Sequence, residues 1–155
     1  EPIRNRTFRS HAWNFATKRV QLAKDSTAPV VEFANQYTLP SDCLRVLKVH
    51  TGTTDSIKDD LPYVVEGRKI KTDEGTIFLV YIALITDPNL YDSYFNEALS
   101  AALAADIAYA ITNNATLSNN YQAIADERLR EARFIDATEN SLGTVESNEF
   151  TDARL

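Results

Sequence analysis

The residues that could perform nucleophilic or metal chemistry are few and widely spaced in this chain. It has one cysteine, Cys43, and two histidines, His11 and His50. A structural zinc site needs three or four ligands, and these residues do not stand at ligand spacing from one another. Cys43 and His50 fall in one predicted strand, where an offset of seven residues places their side chains on opposite faces. We therefore interpret Cys43 as a half-buried strand residue and predict no zinc site.

The carboxylates do not define a site either. Asp55, Asp59 and Asp60 are close in sequence but lack the glycine and the spacing of a calcium-binding loop. The adjacent acids at 73–74 and 126–127 stand where surface charge is expected, and the four glycines of the chain form no phosphate-binding loop. The sequence therefore predicts no catalytic, cofactor-binding or metal-binding residues.

Size and composition are those of an ordinary folded domain. The chain has 155 residues, 44% hydrophobic and 25% charged, so one domain spanning 1–155 is expected. The longest apolar run, 77–85, is about half of what a membrane-spanning helix needs, and no membrane partner is predicted. A lone cysteine is compatible with assembly in a reducing cytoplasm.

Charge is distributed unevenly along the chain. The formal net charge of -6 disfavours a protein that grips nucleic acid over its whole surface. Residues 1–87 hold twelve basic and eleven acidic side chains, whereas the remainder holds four basic and eleven acidic ones. The opening stretch is the most basic part, so a basic N-terminal part and an acidic hairpin and tail are predicted.

The elements that carry these residues can be predicted from periodicity. Apolar residues at roughly helical spacing predict a basic N-terminal helix within 1–24. Residues 30–86 carry β-branched and aromatic residues in short runs between turn formers, which predicts a small antiparallel sheet. In the run 43–50 the apolar parity switches, which indicates a bulge or cover on both faces. The run 76–85 is apolar on both faces and should be the central strand.

The last part of the chain is predicted to be helical and then irregular. Bulky apolar residues recur every four positions, and alanines fill much of the remainder, so 88–138 is predicted as an antiparallel helical hairpin. The recurring residues are Phe95, Leu99, Leu103, Ile107 and Ile111. Residues 139–155 show no period and read as a flexible acidic tail. The predicted fold class is therefore α+β: a helical bundle of the N-terminal helix and the hairpin, with an inserted small antiparallel sheet and an extended C-terminal tail.

Several blocks, in order, resemble the adaptor family of tailed bacteriophages, the head–tail connectors that include tail tubular protein A-like proteins. They run from residue 11 to the end of the chain: 11–16 (HAWNFA), 37–49 (YTLPSDCLRVLKV), 65–73 (VEGRKIKTD), 79–82 (LVYI), 87–92 (DPNLYD), 95–99 (FNEAL) and 151–154 (TDAR). The chain departs from the family pattern at Ala12, where proline is expected, and at Phe150, where tryptophan is expected.

The resemblance implies a structural virion protein without catalysis. Such a protein would form a homo-oligomeric ring, expected to have twelve copies, between the portal protein and the tail or nozzle protein. DNA would pass through the lumen without specific binding. The ring would be assembled in the host cytoplasm and reside in the neck or tail of the virion, and no cofactor is implied.

Two sets of residues are predicted to make the contacts of this ring. The alanine-dense helix and the doubly apolar strand offer more apolar surface than a monomer of this size needs, which favours burial between subunits. The predicted subunit interface comprises Phe95, Leu99, Ala102, Ala105 and Arg130. The resemblance implies that the tail reaches the portal, with the predicted contacts Glu139, Leu142, Val145, Phe150, Arg154 and Leu155.

Two other classes of function stay open at this point. One is a small soluble protein–protein interaction module without a phage role. The other is an enzyme acting on a small molecule, for which Cys43, Asp42 and His50 would be the reactive cluster.

Overall fold

The computed structural model describes residues 1–52 and 61–139, which form three helices and six strands. Helix α1 (Pro2–Arg9) is followed by strands β1 (Thr17–Leu22), β2 (Asn35–Thr38), β3 (Cys43–His50), β4 (Val64–Glu66), β5 (Lys69–Thr72) and β6 (Ile77–Ala83). The two long helices α2 (Ser93–Thr112) and α3 (Ala115–Thr138) come last. Residues 140–155 of the predicted tail lie outside the described residues.

The strands form two antiparallel sheets, and this arrangement overturns the predicted fold class. The first sheet has the order β1-β6-β3 and the second the order β2-β5-β4. The prediction of a helical bundle with one inserted sheet is wrong, because the described residues form two three-stranded sheets with the helices packed on one of them. The prediction of a central strand is confirmed, since β6 pairs with β1 on one side and with β3 on the other.

The predicted N-terminal helix is mostly not a helix. Helix α1 ends at Arg9, where the Ser10 amide and hydroxyl both donate to the Thr7 carbonyl oxygen, at 3.2 and 2.7 Å. Residues 17–22 instead form β1, in which Val20 and Leu22 point toward apolar neighbours and the intervening Gln21 is exposed. Alternation along β1 and its pairing with β6 outweigh the weak helical spacing that the sequence shows there.

One hydrophobic core lies between the two sheets. Its fully buried members include Tyr37 and Ile70 from the second sheet and Ile77 and Leu79 from β6. Tyr37 satisfies its hydroxyl by donating to the Glu74 carbonyl oxygen at 2.7 Å. A buried tyrosine with a bonded hydroxyl joins the sheets without leaving a polar group unpaired.

A second core lies between the other face of the first sheet and the helices. It is rich in aromatic rings: Phe95 of α2 lies 4.8 Å from Phe8 and 5.0 Å from both Trp13 and Phe15, measured between ring centroids. Trp13 is fully buried and donates its Nε1–H to the Thr7 carbonyl oxygen at 3.0 Å. Each such ring pair is worth about 0.5–1.5 kcal/mol beyond area burial, so this cluster fixes α1 and α2 to the sheet.

Strand β3 serves both cores, and two bulges set which of its residues face each one. Its register against β6 shifts between Cys43 and Arg45 and again between Val46 and Lys48, which confirms the predicted bulge. Because of these shifts, side chains on the same face of β3 are three residues apart in the sequence instead of two. Cys43, Val46 and Val49 pack in the core between the sheets, whereas Leu44 and Leu47 pack in the core under the helices.

Candidate functional site

The α2–α3 hairpin is delimited by local side-chain caps. The Asp92 carboxylate accepts from the Tyr94 and Phe95 amides, at 2.8 and 3.2 Å, and so starts α2. Asn113 ends α2 in the left-handed conformation, with φ 50°, and Asn114 caps α3 by accepting from the Leu117 amide at 3.1 Å. The short connection makes the two helices antiparallel neighbours.

The two helices face each other through small residues. Ala98, Ala105 and Ala108 of α2 are buried, as are Ala125 and Ala132 of α3. Alanines at a helix–helix contact allow close approach of the two backbones. The alanine-dense face of the hairpin is therefore covered within the subunit itself.

The large apolar residues that recur every four positions on α2 become more exposed toward the end of the helix. Phe95 is fully buried and Leu99 half-buried, but Leu103 is 43% exposed, Ile107 48% and Ile111 75%. The cause is geometric. Four residues turn an α-helix by about 400°, so a repeat of four rotates by about 40° per step and by about 160° over four steps. A stripe that begins in the core therefore ends on the outside of the hairpin.

We call Leu103, Ile107 and Ile111 the outer stripe. Other large apolar side chains on the hairpin are also exposed: Tyr94, Tyr109, Tyr121, Ile124 and Phe134. The repeat of four residues predicted the helix but did not by itself reveal this division. The available signal was the strict spacing of four residues, because only a mean spacing of about 3.6 residues keeps side chains on one face of a helix.

The structure does not bring the five predicted interface residues to one surface. Phe95 and Ala105 are buried, and Leu99 packs against the core under the helices. Arg130 is exposed and lines a shallow groove along α3, while Ala102 lines a separate pocket. An interface on this hairpin would thus use Ala102, Arg130 and the outer stripe, because the other three side chains contact their own subunit.

The pocket beside Ala102 lies between α1, α2 and α3 and has a volume of about 340 Å³. Arg6 and Arg133 line it, and within residues 1–52 and 61–139 the Nε of Arg133 is buried without a hydrogen-bond partner. Gln122 donates to Asp126 at 3.0 Å on the same wall. The pocket therefore holds two arginines together with the Asp126 carboxylate.

The base of the predicted tail is tied to the start of the chain. Asp136, buried near the end of α3, lies 2.9 Å from the His11 Nε2 and accepts from the Asn14 amide at 2.9 Å. The Asn14 side chain donates to the Asp136 carbonyl oxygen at 2.6 Å. Glu139 is exposed immediately after α3. The other predicted tail contacts lie outside the described residues: Leu142, Val145, Phe150, Arg154 and Leu155.

The residues considered for an enzyme do not converge. Cys43 and His50 occupy opposite ends of β3, on the order of 20 Å apart at the usual rise per strand residue. Burial raises the pKa of the Cys43 thiol, which keeps it protonated, and His50 stacks on Phe78 at 5.6 Å. Asp42 is engaged by Lys18 at 2.8 Å and by the Tyr81 hydroxyl at 3.1 Å. In the ranges that the structure describes, no group of acidic, histidine and cysteine side chains is arranged to hold a metal ion.

No family model matches the chain, and no curated protein matches it. In the part of the chain that the structure describes, no helix is both long and apolar enough to cross a membrane.

Proposed function

We propose that this chain is a structural head–tail adaptor of a tailed bacteriophage. In this proposal, copies of the chain form a ring, twelve in the virion, between the portal protein and the tail or nozzle protein, and DNA passes through the lumen. The ring is assembled in the host cytoplasm and stays in the virion neck. The motif resemblance gives the proposal its family, and the exposed outer stripe of α2 carries it physically.

The outer stripe supports assembly because it leaves aliphatic surface in water. Leu103, Ile107 and Ile111 follow one another at intervals of four, so their positions are neighbours on the helix surface. Burying a large aliphatic side chain is worth about 1.5–3 kcal/mol when it is complete. Surfaces of this kind commonly mark contacts with another protein. A neighbouring subunit would bury the stripe.

Charge supports a head-to-tail contact between copies. Helix α1 carries Arg4 and Arg6, whereas α2 and α3 carry most of the acidic side chains after residue 87. A contact between two different surfaces of one chain is heterologous, and heterologous contacts close into rings when the rotation between copies allows it. Opposite charges on the two surfaces would set the register of neighbours more than they would add affinity.

Assembly with purified portal protein tests the proposal. The chain is mixed with portal rings and observed by electron microscopy and light scattering; we expect a defined ring stacked on the portal. The double substitution Ile107→Lys/Ile111→Lys should abolish the ring, whereas Val30→Lys/Val31→Lys should leave it unchanged. All four side chains are exposed, so neither variant should unfold.

Two outcomes would contradict the adaptor proposal. One is a wild-type chain that stays monomeric with the portal, which would favour an interaction module without a phage role. The other is normal ring assembly by the Ile107→Lys/Ile111→Lys variant.

The tail has its own test within this proposal. Deleting residues 139–155 should leave a folded protein, since the described helices and sheets end before it, but should abolish attachment to portal rings. Undiminished portal binding by the truncated protein would show that the tail is not the contact.

A further inference from the structure

A cleft on the sheet side of the molecule is separate from the hairpin and carries concentrated positive charge. It has a volume of about 470 Å³ and lies between β3 and the turn that joins β4 to β5. Arg9, Arg45 and Arg68 line it. Its apolar wall is formed mainly by Leu44, Val46 and Val65.

The three guanidinium groups are held by backbone carbonyl groups. Arg45 donates to the Arg9 carbonyl oxygen at 3.0 Å, and Arg9 donates to the Leu44 carbonyl oxygen. Arg68 donates to the carbonyl oxygens of Pro40 and, at 3.3 Å, Ser41. Neutral carbonyls fix the positions of the guanidiniums without cancelling their charge, and each guanidinium has five donors, so several remain for a ligand.

No described acid neutralises this charge. Every ion pair within residues 1–52 and 61–139 involves other residues. The nearby Asp42 is occupied by Lys18 and Tyr81. Burial keeps Cys43, also in the cleft wall, in its neutral form. Three fixed positive charges with free donors therefore face the cleft.

The cleft wall distinguishes between the anions that could fill it. A carboxylate can accept two parallel hydrogen bonds from one guanidinium. Among the residues that the structure describes, the wall offers aliphatic side chains and no aromatic ring on which a nucleic-acid base could stack. In the described sheet β4 pairs only with β5, and its Val64 and Val65 are exposed, so its free edge can receive an added strand.

We propose that the cleft binds an extended acidic segment of a partner protein, with carboxylates on Arg9, Arg45 and Arg68 and aliphatic side chains on the wall beside β4. Charge complementarity selects the acidic positions, and the aliphatic wall selects the residues between them. This surface is distinct from the outer stripe, so the inference does not depend on ring assembly.

A synthetic peptide that alternates glutamate with valine tests the inference on the full chain. We expect binding that weakens as salt is added, and chemical-shift changes at the amides of Val46, Val65 and Gly67 in the wild-type protein. The same peptide with glutamine in place of glutamate should bind at least about tenfold more weakly, because it loses charge-assisted hydrogen bonds.

Protein variants provide the second arm of the experiment. Arg9→Gln/Arg45→Gln should weaken peptide binding about tenfold or more, whereas Arg19→Gln, an exposed arginine on β1 outside the cleft, should leave it unchanged. Any of four results would overturn the inference: no binding of the glutamate peptide, equal binding of the glutamine peptide, shift changes confined to other residues, or displacement of the peptide by an equal concentration of short duplex DNA. The wild-type shift map decides the question even if the double variant fails to fold.

Discussion

Asp136 at the end of the last helix and His11 in the loop after the first helix are in direct contact, with 2.9 Å between the carboxylate Oδ2 and the Nε2 of the imidazole. The contact joins residues 125 positions apart in the chain. It places the point where the tail begins against the N-terminal motif of residues 11–16.

Replacement of Asp136 measures the strength of this link. Asp136→Ala should lower the free energy of unfolding by about 2–3 kcal/mol, because the Asn14 amide and the His11 ring lose their acceptor in a mostly buried position. Urea unfolding followed by circular dichroism gives the value. Asp126→Ala, on the exposed face of the same helix, should change the free energy by less than about 0.5 kcal/mol. If Asp136→Ala lowered the free energy of unfolding no more than Asp126→Ala does, the contact between Asp136 and His11 would not contribute to stability.

The two phenylalanines of the hairpin offer a matched comparison of inner and outer positions. Phe95 is fully buried among neighbouring aromatic rings, whereas Phe134 is 68% exposed to solvent. Phe95→Ala should cost about 3–5 kcal/mol of folding free energy through the cavity it leaves, and Phe134→Ala less than about 0.5 kcal/mol. Both are read from the midpoint of chemical unfolding. A small loss for Phe95→Ala would contradict the placement of this ring in the core.

Tyr81 predicts a loss of stability at alkaline pH. Burial, with the negative charge of Asp42 beside the hydroxyl, raises the pKa of Tyr81 from 10.0 to about 12. The folded protein therefore holds this proton at pH values where the unfolded chain releases it, and the free energy of unfolding should fall as pH rises from 10 toward 12. Tyr81→Phe should make that fall shallower, and it should cost about 1 kcal/mol at neutral pH through the lost hydrogen bond. The measurement is urea unfolding at a series of pH values.

The exposed Tyr109 gives the control for this prediction. Tyr109→Phe leaves the hydrogen bond between Tyr81 and Asp42 intact and should keep the alkaline fall as steep as in the wild type. A slope unchanged by Tyr81→Phe would mean that this hydroxyl is not the group responsible.

Local signals in the sequence were enough for the hairpin and for the centre of the first sheet. The capping residue Asp92 and the alanine density mark the long helices, which lie within the predicted range 88–138. The apolar parity of residues 44–49 indicated the bulging of β3, because in a regular strand the side chains of one face keep the same parity, and a change of parity needs an extra residue.

Long-range pairing is what the sequence could not supply. Residues 17–22 carry too short an alternation to outweigh the helical spacing around them, and only their pairing with β6 makes them a strand. The approach of Asp136 to His11 and the grouping of Arg9 with Arg45 and Arg68 also depend on how distant segments fold together. A pattern read along one segment contains no information about those neighbours.

The double bulge of β3 has a mechanical meaning for the whole molecule. Because consecutive side chains of one strand are anchored alternately above and below the first sheet, neither layer can loosen without pulling on the other. Through β3, the helices on one side and the small sheet on the far side are packed against one continuous strand.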